Sequence, residues 1–172
     1  MAAKRPTAPK ACNLMTDVAG DGDWNNASML VKSKNLDIVS GDVATTAKDF
    51  YAVLRLSDFT FANDNWATLG YRWMFGSVGG GARYDFEYRR GGTGTINSSA
   101  TIGGQAVPYS VKVIGNAIVW KVPRAGIAAL ARPNLVWSGF GGNSQVLSST
   151  ADDASDSGKK YKDRQPSCIP MF

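Results

Sequence analysis

The chain has 172 residues, 44% hydrophobic and 19% charged, which excludes an intrinsically disordered chain and suits one domain with its own core. Its net charge is +5, its pI is about 9.3, and no apolar run approaches the roughly 18–20 residues of a membrane-spanning helix. The sequence contains no histidine, which excludes Ser-His-Asp and Cys-His catalytic sets and histidine-based zinc sites.

In chain order, residues 1–11 are polar and basic, carry Lys4, Arg5 and Lys10 with Pro6 and Pro9, and read as an extended arm. Lys159, Lys160, Lys162 and Arg164 hold further positive charge near the other end. Charge placed this way is either solvated or an electrostatic contact to an acidic partner. No basic helical stripe or binding-module motif accompanies it, so nucleic acid is the weaker reading.

Strand periodicity begins at Leu36, where LDIVSGDVAT predicts a first strand and TTAKD a polar turn. FYAVLRLSDF then sets Phe50, Ala52, Leu54 and Leu56 on one face and Tyr51, Val53 and Arg55 on the other. LGYRWMFGSV and ARYDFEYRR alternate in the same way around Gly79, Gly80 and Gly81. Their Tyr71/Trp73/Phe75 and Tyr84/Phe86/Tyr88 rows oppose faces rich in charge, so they read as core rather than as a sugar-binding platform. VPYSVKV and IVWKV form a second hairpin turning at Gly115-Asn116. Residues 123–131 (PRAGIAALA) predict one short helix, LVWSGF a strand, and residues 148–167 a polar late loop. The fold class is therefore all-β: an antiparallel β-sandwich, Ig-like or jelly-roll-like, with about eight to ten strands and one short helix. The domain layout is an arm at 1–11, a sandwich at 12–168 and a tail at 169–172.

Cys12 and Cys168 bracket nearly all of this. A disulfide between them would clasp the first strand to the last, worth about 4–5 kcal/mol in the chain-entropy model. Two unrelated thiols are the alternative, and two cysteines without histidine make a poor metal site. A disulfide implies an oxidising destination, yet the chain opens MAAKRPTAPKAC, without the apolar segment of a secretory signal. Either a signal has been removed and a methionine added, or the protein leaves the cell by another route, such as lysis.

Several fragments together resemble a β-sandwich module attached to secreted bacterial proteins, notably actinobacterial subtilisin-like proteases. They are Cys12 followed by DVAGD at Asp17–Asp21, LDIVSGDVAT at Leu36–Thr45, AVLRLSDF at Ala52–Phe59, the Ala151-Asp152-Asp153-Ala154 segment, and Tyr161 ahead of Cys168. None is a catalytic signature, and the resemblance implies an accessory, non-catalytic domain. This chain differs in standing alone behind a short basic arm.

The remaining chemistry is acidic. Asp17, Asp21 and Asp23 lie in a Gly-rich turn, Asp37 opens the first strand, and Asp152, Asp153 and Asp156 fall in the late loop. Joined ends would bring the early and late loops together, and loop carboxylates suit structural calcium. The competing reading is aspartates that cap turns. Trp24 and Trp66 are the candidate loop contacts, Trp66 the stronger. Asn26 and Asn97 begin glycosylation sequons, which matter only in a eukaryotic secretory path.

These observations point away from an enzyme and toward a structural or binding protein without a small-molecule substrate. One expectation is a surface or decoration component of an extracellular assembly such as a phage virion, with a capsid or other virion protein as partner and the arm (Lys4, Arg5, Lys10) as the contact. The alternative is a secreted module binding polysaccharide or protein. Its location is then extracellular or on a virion surface.

Overall fold

The computed structural model describes residues 10–17, 19–20, 35–59, 68–78, 82–91, 94–127, 136–146, 149–156, 161–162 and 168–170, and nearly all of its regular structure is β. The strands are β1 (Lys10–Thr16), β2 (Ile38–Thr45), β3 (Asp49–Leu56), β4 (Leu69–Val78), β5 (Arg83–Arg90), β6 (Ile96–Ile102) and β7 (Gln105–Ala106). They continue with β8 (Ser110–Ile114), β9 (Ala117–Pro123), β10 (Val136–Val146), β11 (Ser149–Asp156), β12 (Tyr161–Lys162) and β13 (Cys168–Pro170). One sheet runs β13-β1-β2-β3-β9-β8 and the other β11-β10-β4-β5-β6-β7, with β12 also paired to β10. Every pairing is antiparallel, and the two sheets form a β-sandwich.

The core follows from the alternation. Phe50, Ala52, Leu54 and Leu56 of β3, Tyr71, Trp73 and Phe75 of β4, Tyr84, Phe86 and Tyr88 of β5, and Ile118, Trp120 and Val122 of β9 are all buried in one cluster. Register aligns the aromatic rows, Tyr71 opposite Tyr88, Trp73 opposite Phe86 and Phe75 opposite Tyr84. Phe75 stacks on Tyr84 at 5.0 Å between ring centroids, and Phe86 meets Trp120 from the other sheet at 5.7 Å. Aromatic pairs in these geometries add about 0.5–1.5 kcal/mol beyond the area they bury. Trp120 also donates its Nε1–H to the Glu87 carbonyl at 3.2 Å, a polar tie between the layers. Gly41 completes the fit: a Cβ there would overlap the Trp73 ring, so only glycine lets that indole reach β2.

The outer faces of the sheets differ. On β4 and β5, Arg72 holds Asp85 and lies 3.5 Å from Glu87, while Arg83 and Arg89 lie 3.8 Å from Asp85 and Glu87 respectively. The guanidinium of Arg72 is held more firmly protonated than usual, chiefly by its hydrogen bonds to Asp85. On the first sheet, the outer face instead buries Ala44, Val53, Ala117 and Val119 beside Tyr51.

The structure departs from the sequence reading in several places, beginning with β1, which precedes the strand read as the first and takes in Lys10 and Ala11 of the expected arm. The described residues form 13 strands, more than expected, because short pieces such as β7, β12 and β13 complete the sheet edges. The expected helix gives only a 3-10 turn at Arg124–Gly126, entered from an extended Pro123; residues 128–135 lie outside the described part. The stretch placed in a late loop holds strand β11, which carries Asp152, Asp153 and Asp156 and pairs with β10 from Val146 to Phe140. Its STADDASD sequence has no apolar alternation, and the strand is defined by its pairing with β10. Finally, β6 and β7 were not anticipated. They turn at Gly103-Gly104, whose φ angles of +62° and +78° suit a tight hairpin.

Candidate functional site

One end of the sandwich gathers the start of β2, the end of β3 and the start of β4. Ile38 pairs with Leu56 there, Tyr71 donates its O–H to the Asn35 carbonyl at 2.8 Å, and Phe59 packs on Tyr71 and Tyr88 at 5.5 and 6.2 Å. The residue that joins these pieces is Asp37, just ahead of β2 and only 2% exposed.

Asp37 works through both its backbone and its side chain. Its carbonyl accepts from Ser57 N–H at 2.9 Å, and its Oδ2 accepts from the Ser57 hydroxyl. The same Oδ2 accepts from Gly20 N–H at 2.8 Å, fastening the turn that follows β1. That turn is entered while Asp17 N–H still pairs with the Val39 carbonyl at 3.0 Å, so β2 guides both sides. The other oxygen, Oδ1, is buried and has no hydrogen-bond partner. A carboxylate oxygen in that state retains capacity for a proton, a water or a cation.

Asp42, inside β2, is fully buried and completely engaged. Its Oδ1 accepts from Asn13 Nδ2 at 2.9 Å, and its Oδ2 accepts from Arg55 Nε at 2.8 Å and from Ser40 Oγ at 3.4 Å. Arg55 supplies the counter-charge. This arrangement fastens β1, β2 and β3 together and has no capacity left for a ligand.

Of the residues singled out in the sequence, Asp17 and Asp37 are both tied to the chain around the Ala19-Gly20 turn, Asp17 by its N–H to the Val39 carbonyl and Asp37 by its Oδ2 to Gly20 N–H. Asp152 and Asp153 lie on β11, opposite Ser144 and Asn143 of β10. Asp21, Asp23, Trp24, Trp66, Lys4 and Arg5 lie outside the described residues, while Lys10 begins β1 opposite Pro170. Cys12 and Cys168 are register partners across β1 and β13. Among the described residues, no three acidic or cysteine side chains form a group able to hold a metal ion. Sequence reasoning missed Ser57, Gly20, Asn13 and Arg55, because their partnerships cross strands and no local spacing announces them.

A second feature lies along one side of the molecule. β8 is outermost in its sheet and β6 with β7 outermost in the other, and Tyr109 joins the two by donating its O–H to the Ser98 carbonyl. The large apolar side chains exposed among the described residues are Ile96 at 55%, Ile114 at 41% and Val113 at 38%, all on these strands.

No family model matches the chain, and neither the curated proteins nor the solved structures yield a match.

Proposed function

We propose that this is a non-catalytic structural protein, a surface or decoration component of a larger extracellular assembly such as a virion. The observation that carries this reading is the β8 side of the sandwich. Its outer edge pairs with no other strand among the described residues, and Ile96, Val113 and Ile114 are exposed along that side. An open edge with apolar side chains is a template for an added strand. A symmetric pairing of β8 with its own copy would set Lys112, at its centre, against Lys112, and directly opposed like charges destabilise a sheet. The occupant is therefore a strand of a different assembly protein, with an acidic residue to meet Lys112. The basic arm, with Lys4 and Arg5 ahead of Lys10 at the start of β1, adds a second attachment, so modest contacts multiply over many subunits.

The same reading includes a Cys12–Cys168 disulfide. Directly opposed residues of an antiparallel pair have Cα atoms about 4.5–5.5 Å apart, within the span a disulfide bridges. Closing it removes two electrons and two protons from the thiols, accepted by a disulfide-bearing oxidant or dioxygen outside the reducing cytoplasm. Non-reducing peptide mapping should recover the two cysteines in one linked pair; two free thiols would remove the clasp from the account.

Attachment is tested with a Val113→Glu/Ile114→Glu double variant and with a chain lacking residues 1–9, each mixed with particles from the native source. The double variant should keep its melting temperature and lose binding, and the truncated chain should bind more weakly. Binding equal to the parent in both would refute the assembly contact.

A further inference from the structure

We propose that Asp37 anchors a site for a hard divalent cation of the calcium class, at the junction of the Ala19-Gly20 turn and the chain leaving β3. The starting point is its unpartnered oxygen. Asp37 is 98% buried, Oδ1 has no hydrogen-bond partner, and no Lys or Arg among the described residues forms an ion pair with it. A buried carboxylate without counter-charge is costly, and its neighbour Asp42 has the Arg55 guanidinium that Asp37 lacks. A water would satisfy the hydrogen bonding of Oδ1 but not the charge. A cation satisfies both.

The surroundings fit that ligand class. Gly20 N–H and the Ser57 hydroxyl are both spent on Oδ2, which orients the carboxylate against the turn and leaves Oδ1 free. Asp17, whose N–H pairs with the Val39 carbonyl, and the Ala19-Gly20 backbone are close in sequence to the Gly20–Asp37 bond and carry hard oxygen donors. Calcium takes about six to eight oxygens, mixing carboxylates with carbonyls and water, so it does not require a cluster of three acids. Magnesium holds its waters tightly in a strict octahedron and suits such a mixed set less well. Asp21 and Asp23 lie outside the described residues and form no part of this assignment. Nor do Asp152 and Asp153, which lie on β11. A cation here would fasten the segment after β1 to the starts of β2 and of the loop beyond β3, a structural rather than catalytic role.

The test is calorimetric titration of calcium into the full chain after EDTA treatment, paired with thermal melts in calcium and in EDTA. One saturable site and a higher melting temperature in calcium are expected. Asp37→Asn should weaken binding at least tenfold, Asp17→Asn should weaken it several-fold, and Asp152→Asn/Asp153→Asn should leave it unchanged. If Asp37→Asn does not fold, the partly exposed Asp17→Asn and the parent chain still decide the matter. No binding heat and no melting shift in the parent would overturn the site, leaving Oδ1 to a water or a proton. Calcium binding unaltered by both the Asp17 and Asp37 substitutions would overturn it equally.

Discussion

Asp37 lies just ahead of β2 and Asp42 within it, both buried, and their surroundings differ. Asp42 sits within the strand array, where Asn13, Ser40 and Arg55 occupy both of its oxygens. Asp37 sits at the loop-bearing end, where Oδ2 is engaged twice and Oδ1 not at all. Within the strand array Asp42 is satisfied from three strands, although Trp73 Nε1 of β4 is buried there without a hydrogen-bond partner. At the loop end one carboxylate oxygen of Asp37 is left without a hydrogen-bond partner. That difference is what the proposed cation site at Asp37 rests on.

The largest expected effect tests the rigidity of the array around Asp42. Gly41→Ala drives a methyl into the fully buried Trp73 ring, which has no room to yield, and should cost about 3 kcal/mol in urea unfolding. A cost near zero would mean that the sheets re-space freely, and the contrast between the two regions would lose its basis. Next, Asp42→Ala strands Arg55 and Asn13 and should cost about 2–3 kcal/mol, equally in calcium and in EDTA. A calcium-dependent cost would put Asp42 in the ligand class with Asp37.

Asp37→Asn is the counterpart, and its expected effect is smaller. The amide oxygen can still accept from Gly20 and Ser57, and the buried charge is gone, so stability in EDTA should stay within about 1 kcal/mol of the parent. Its deficit should emerge only when calcium is added. The same loss in both buffers would make Asp37 a second Asp42.

The smallest effect concerns pH at the loop end. Burial pushes the Tyr88 phenol above its ordinary pKa, with nearby Arg90 opposing weakly. The folded state therefore favours the neutral phenol. Its contribution is fully present below about pH 10, the unfolded value, and is lost as pH rises through the folded value. Tyr88→Phe should flatten the decline in unfolding midpoint over about pH 9–12; an unchanged slope would assign the decline to other groups.

Much of the sandwich was legible because its central strands bury one face and wet the other. Phe50, Ala52, Leu54 and Leu56, and the two aromatic rows, announce their direction by period alone. The edges were not legible in that way. STADDASD becomes a strand by pairing with β10 and shows no apolar alternation, while INSSATI, paired with β5, spaces Ile96, Ala100 and Ile102 at period two but interrupts the row with Ser98. The site was half legible. Asp17 and Asp37 stood out as carboxylates near turns, but the unused oxygen of Asp37 depends on Gly20 and Ser57 arriving from distant parts of the chain. The exposure of Ile96, Val113 and Ile114 likewise depends on which strands end the sheets, a property of topology rather than of local pattern.

Whether this sandwich belongs to a larger assembly, as proposed above, is open to direct measurement. The most direct test is to fractionate the native source on a density gradient and trace the chain by mass spectrometry. The account expects it in the fast-sedimenting particle fractions, released when the β8 edge carries the Val113→Glu/Ile114→Glu pair. Recovery of the unmodified chain only among slowly sedimenting soluble proteins would contradict it.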